Sequence, residues 1–170
     1  MVEFTCCFTG HRPEKMPFTA TYRPIQYAQY LRRIQMAIDK KRTAGCRDFY
    51  CGVARGFDLW AAQVLLKIKS ENPNEGLRLI CVVPFENFYA HWQPEDYHTV
   101  QTVLDNADEV ICLQRYYSRN CFVKRNHYMV DNCGHVIAGY DGQQKGGTFT
   151  TIAYARANGR QVEIVNPLDV

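Results

Sequence analysis

Six short apolar runs recur along the chain: Phe4 to Phe8, Asp48 to Cys51, Leu77 to Val83, Glu109 to Leu113, His135 to Ala138 and Val162 to Val165. Each is continuous instead of alternating apolar with polar, which is the mark of a strand buried on both faces. Strands of that kind belong to a parallel sheet covered by helices, and parallel neighbours need a crossover between them. The intervals carry the helix signals this requires. Pro24 stands at a first helical position, Tyr27, Leu31, Ile34 and Ile38 follow at helical spacing, and Gly45 lies just past the end.

A second helix is expected over Leu59 to Ser70, stopped before Pro73, and Pro94 opens a third with the stripe Tyr97, Val100, Leu104 and Ala107. Phe122 to Cys133 and Thr148 to Asn158 each end on a glycine suited to a left-handed cap, Gly134 and Gly159. Alternation of this kind predicts an α/β fold: a doubly wound, mainly parallel sheet flanked by helices, with right-handed crossovers. The 170 residues suit a single domain over 1–170. Strand order is left open by the pattern.

No apolar stretch approaches the roughly 20 residues of a membrane span, and the Met-Val-Glu-Phe-Thr start carries an acid where a secretory signal carries base. A cytoplasmic protein without a membrane partner is expected. The eight cysteines form no Cys-x-x-Cys pair and stand mostly in apolar runs, so buried thiols are expected and no metal site. A net charge of +3, with Arg32-Arg33 and Lys40-Lys41-Arg42 on a helix's polar face, does not advertise a nucleic-acid groove.

In open α/β sheets ligands lie beyond the carboxyl ends of the strands, where the winding reverses. The first such exit is Thr9-Gly10-His11-Arg12, which joins a hydroxyl, a bare backbone, an imidazole and a guanidinium. Gly10 lets backbone approach a ligand, and Thr9 and Arg12 can hydrogen-bond its oxygens. The second exit is "CGVARGFDLWAA" at 51–62, where Gly52 and Gly56 bracket a turn into a helix start, Arg55 adds charge, and Asp58 serves either the helix N-terminus or a ligand. The third, "GYDGQQKGGTFTTIAYA" at 139–155, puts Gly146, Gly147, Thr148 and Thr151 at the entry to the last helix. An N-cap explains one threonine but not a Gly-Gly pair behind a glycine-rich loop.

The segment "PFENFYAHWQPEDY" carries Phe85, Phe88, Tyr89, Trp92 and Tyr97. Rings there stack on a base or ribose, pack the loop, or join copies of the chain into a homo-oligomer. Glu86, Glu95, His91 and His98 are acid–base candidates, whereas His11, His127 and His135 have no ligand spacing.

"FTGHRP", "GVARGFDLWAA", "RNHYMVD" at Arg125 to Asp131 and "GGTFTTIAYA", in that order, resemble the YpsA-like branch of the SLOG superfamily, which includes the DprA/Smf proteins and the LOG phosphoribohydrolases. The resemblance covers residues 4 to 165. It implies a Rossmann-like domain that binds a nucleotide or nucleotide-derived ligand of the NAD, ADP-ribose or nucleoside-phosphate class, with no cofactor certain. The implied contacts are Thr9, Gly10, Arg12, Gly52, Arg55, Gly56, Asp58, Arg125, Gly146, Gly147, Thr148 and Thr151.

The LOG enzymes use an arginine before their glycine loop and a glutamate after Gly-Gly-x-Gly-Thr. Arg125 is similar to the first, but Phe149 replaces the second motif's glycine, and Ile152-Ala153 stand where its glutamate would fall. A binding protein is therefore expected, with phosphate held by the glycine-rich loops. The alternatives are an N-glycosidic (phosphoribo)hydrolase, with Arg125 and a relocated Asp58, Glu86 or Asp141 as catalytic candidates, and a DprA-like single-strand DNA binder.

Overall fold

The computed structural model describes residues 1–170, and each apolar run forms a strand. The order is β1 (Thr5–Gly10), α1 (Pro24–Thr43), β2 (Asp48–Cys51), α2 (Phe57–Glu71), β3 (Arg78–Val83), α3 (Pro94–Asp105), β4 (Glu109–Cys112), α4 (Cys121–Asp131), β5 (His135–Gly139), α5 (Gly147–Ala157) and β6 (Gln161–Val165). All neighbouring strands are parallel, in the order β4-β3-β2-β1-β5-β6. The chain winds one way from β1 to β4 and then jumps back to β5 on the other side of β1. The reversal falls between β1 and β5, so their carboxyl ends open the crevice where a ligand is expected.

Alternate residues of β1 feed two cores. Cys6 and Phe8 pack with Tyr30, Ile34, Phe49 and Leu65 under α1 to α3, while Cys7 packs with Met129, Val136 and Ile152 under α4 and α5. The buried Tyr30 hydroxyl donates to the Val165 carbonyl at 2.7 Å, tying α1 to the β6 edge. Seven cysteines are buried free thiols and Cys112 is exposed.

Several expectations shift. Gly134, unlike Gly159, does not take the left-handed cap conformation; a β-carbon there would lie 2.7 Å from the Val2 carbonyl oxygen, so this glycine makes room for the first turn of the chain. Phe4 lies in a 3-10 turn, Val2–Phe4, outside the sheet, so β1 starts one residue later. Helix α2 begins at Phe57, two residues before Leu59, because its first turn is packed into the crevice. Strand β4 is not buried on both faces: Glu109, Val110 and Cys112 are exposed. It is the sheet edge, and the following helix lies over β1 and β3 instead of covering it. No helix is long and apolar enough to cross a membrane.

Candidate functional site

Gly10 and Gly139 are register partners at the ends of β1 and β5. A β-carbon at Gly10 would fall 2.4 Å from the Phe57 ring, so this glycine makes room for the first residue of α2 as well as lying at the crevice. Gly56 has φ 85°, and a β-carbon there would sit 2.6 Å from the His11 carbonyl oxygen. That closeness lets the Phe57 N–H donate to the same carbonyl at 3.1 Å. On the other side the His11 N–H donates to the Gly139 carbonyl at 3.0 Å, and His11 Nε2 meets Asp141 Oδ1 at 2.9 Å with both side chains nearly buried.

Three strand exits thereby enclose a polar cleft of about 320 Å³. Its walls are Thr9, Gly10, His11, Arg12, Glu14 and Lys15 from the first exit, Ala54 and Asp58 from the second, Phe122, Arg125 and Asn126 from α4, and Gly147 and Thr148 from α5. Helix α5 starts from Gly146 (φ 90°) with no side-chain cap, and no atom lies within 4 Å of where a Gly147 β-carbon would be. The first amides of a helix have no partner within it, so this start presents donors and the positive end of the helix dipole. Thr151 supports from behind: its Oγ1 donates to the Gly147 carbonyl at 2.8 Å and accepts from Asn126 Nδ2 at 3.1 Å. Arg12 lies over the Phe122 ring at 5.9 Å, and neither it nor Lys15 has an ion-pair partner in the protein.

Arg125 is 5% exposed. Its Nη1 donates to the Gly52 carbonyl at 2.6 Å and its Nε to Asn126 Oδ1 at 3.1 Å. A β-carbon at Gly52 would lie 2.9 Å from the Arg125 side chain, so Gly52 admits the guanidinium. Burial pushes the Asp58 carboxyl up to about 6 against the pull of Arg125, and its one protein donor, the Ala54 N–H, is distant at 3.4 Å. Burial also lowers Arg125, with Asp58 opposing. Each charge is desolvated more than the other repays.

A second cleft of about 330 Å³ adjoins the first and shares Arg12, Ala54, Phe122 and Arg125 with it. Phe88, His91 and Trp92 form its aromatic side, with the Phe88 and Trp92 rings edge to face at 5.5 Å. Arg55 lies here, spent on Asp96 and Glu14 at 2.6 Å each. The aromatic segment does two jobs, since Phe88, Tyr89 and Trp92 also pack against the larger core.

Of the residues expected from sequence, Thr9, Gly10, Arg12, Asp58, Arg125, Gly147 and Thr148 meet in the polar cleft and Arg55 in its neighbour. Gly52, Gly56, Gly146 and Thr151 shape the walls without lining either. Asp141 is held by His11, and Glu86 is exposed outside both clefts, 4.0 Å from Arg115. His11, Glu14, Lys15, Phe122 and Asn126 are wall residues that the sequence did not nominate as contacts. Lys15 sits three residues past Arg12 in the same exit, and Phe122 and Asn126 flank Arg125 at helical and adjacent spacing, which are the signals that would have found them.

The family model YpsA, described as "YspA SLOG family", matches residues 6–167. A UPF0398 protein of Bacillus cereus (strain G9842) is 27% identical over 106 residues, 61% of this chain, and the chain spans little more than half of that relative, 56%. A UPF0398 protein of Bacillus thuringiensis (strain Al Hakam) is 27% identical over 132 residues, covering 74% of this chain and 71% of the relative. The crystal structure of TM1055, a structural-genomics target, shares the fold at TM-score 0.54 and 15% identity, covering 93% of this chain and 71% of that one. With the family model matching residues 6–167, nearly the whole chain, the chain belongs to the YpsA family of SLOG proteins.

Proposed function

We propose that the chain is a cytoplasmic binding protein for a nucleotide or nucleotide-derived small molecule, with phosphate in the polar cleft and the nucleoside in the aromatic one. The observation that carries this is the junction of the two clefts through Arg12, Ala54, Phe122 and Arg125. A nucleotide is an anion joined to a flat aromatic body, and the paired clefts have that division. On the polar side stand two unpaired cations, Arg12 and Lys15, and an open helix start, a combination suited to phosphate oxygens. On the other side Trp92 and Phe88 offer ring faces and edges for stacking.

Asp58 favours a second reading. A buried carboxyl raised to about 6 and lining the polar cleft keeps a protonated fraction near neutral pH that an ordinary aspartate lacks, and N-glycosidic cleavage of a bound nucleotide requires such a donor. Release of free base from AMP distinguishes it from binding alone. The binding reading is tested by a thermal-shift panel of NAD, ADP-ribose and AMP, where a ligand at about 100 times its dissociation constant adds about 2.7 kcal/mol. No shift with any of the three overturns it.

A further inference from the structure

We propose that the polar cleft hydrolyses a phosphodiester or phosphoanhydride bond of its ligand, with His11 as general base oriented by Asp141. This rests on the nucleotide-binding reading above and adds an activity to it.

The dyad is built as a base needs to be. Asp141 Oδ1 meets His11 Nε2 at 2.9 Å and also accepts the Gln143 N–H at 3.1 Å. Burial would raise the Asp141 carboxyl, but the His11 hydrogen bond and the Gln143 N–H outweigh it and hold the group below its usual range. An ionised Asp141 accepts from Nε2–H, and that fixes the tautomer with a lone pair on Nδ1. The Asp141 N–H also reaches Nε2, at 3.4 Å, but the 2.9 Å contact to the ionised carboxylate is the shorter and charge-assisted one, so Nε2 donates. Tyr140 packs on the imidazole at 5.6 Å and is itself anchored by its hydroxyl to the Gln143 carbonyl at 2.6 Å.

A clamp between the β1 and β5 exits would need Nε2 alone. Nδ1 has no partner in the protein, yet it is not among the buried orphan atoms, and His11 is a wall of the cleft that holds Arg12, Lys15 and the open start of α5. A phosphate bound by those groups is beside the imidazole, whereas the sugar and base extend toward the second cleft. The bond within reach of His11 is therefore at phosphorus.

In the step, water attacks phosphorus and gives a proton to His11 Nδ1. The new P–O bond forms as the bond to the leaving oxygen breaks. The leaving oxygen takes a proton from Asp58, in the same cleft, in the fraction of molecules whose carboxyl, raised to about 6, is protonated, and solvent then returns the proton from His11 to Asp58. One water is consumed and nothing is oxidised or reduced. Charge growing on the phosphoryl oxygens faces Arg12, Lys15 and the α5 amides.

The test uses the full chain with ADP-ribose in water enriched in oxygen-18, with products separated by chromatography and mass spectrometry. The expected products are AMP and ribose 5-phosphate, one of them carrying a single heavy oxygen. His11→Gln should slow the reaction at least about 100-fold, with calorimetric affinity for ADP-ribose kept within about threefold. Asp141 is a positioning residue, so Asp141→Asn should lower kcat more than about tenfold at unchanged KM, and Asp141→Glu should restore part of it. That split decides the matter if His11→Gln fails to fold. ADP-ribose that binds but stays intact overturns the proposal and leaves the binding reading standing, as does cleavage that releases adenine or ignores both variants. ADP-ribose that does not bind at all overturns both.

Discussion

Phe57 lies so close over Gly139 that a β-carbon there would fall 2.2 Å from its ring. The same ring closes on Gly10, so the turn into α2 is wedged into the crevice between β1 and β5. Gly139→Ala and Gly10→Ala should each destabilise the fold by roughly 1–3 kcal/mol, the usual cost of overpacking. Gly147→Ala, with no atom within 4 Å, should leave the stability measured by urea unfolding unchanged or raise it by up to about 1 kcal/mol of helix propensity. A wild-type midpoint for Gly139→Ala would contradict the wedge.

The wedge also marks where sequence reasoning stops. The central strands were readable because Cys6 to Phe8 and Leu79 to Val82 are apolar toward both helix layers, and the helix ends because Pro24, Pro94 and Gly159 act locally. Glycines are harder: Gly10 reads as room for a ligand and Gly52 as one side of a tight turn, while the structure also sets Phe57 against the first and Arg125 against the second. The partner residues come from distant segments, so no local pattern announces them. His11 carries no local signal for the same reason, since its partner Asp141 stands 130 residues away.

Arg12 and Arg55 are both arginines at strand exits, but only Arg12 is unpaired. Arg12→Ala should weaken AMP by the roughly 1.5–3 kcal/mol of a charged hydrogen bond and leave adenosine nearly unchanged. Arg55→Ala breaks partly exposed pairs with Asp96 and Glu14, so it should cost under about 1 kcal/mol of stability and discriminate less between the two ligands. Titration calorimetry on both variants checks the order.

Trp92 belongs to the aromatic cleft. Trp92→Ala should weaken AMP and adenosine by the same factor, about 1–3 kcal/mol for a lost stacking surface, and should not touch ribose 5-phosphate. Because Trp92 also packs on the core, binding is compared below the variant's melting temperature. A loss confined to AMP would place the base elsewhere.

Asp58 predicts a stability signature. Its folded value of about 6 stands above the ordinary 3.8, so between those values the folded chain holds a proton that the unfolded chain has released. The wild type therefore loses stability as pH rises from about 4 to about 6, by about 3 kcal/mol, and no more above that. Asp58→Asn lacks this group, so the variant's stability relative to wild type should climb by that order over the same window. Parallel urea-stability curves for the two proteins would show that Asp58 is not desolvated as described.

The central claim is that one cleft takes phosphate and its neighbour the nucleoside, and calorimetry with AMP, adenosine and inorganic phosphate on the wild-type chain tests it most directly. AMP should bind more tightly than either part, and added phosphate and adenosine should each compete with it. Equal affinity for AMP and adenosine, or AMP binding that phosphate cannot displace, would contradict it.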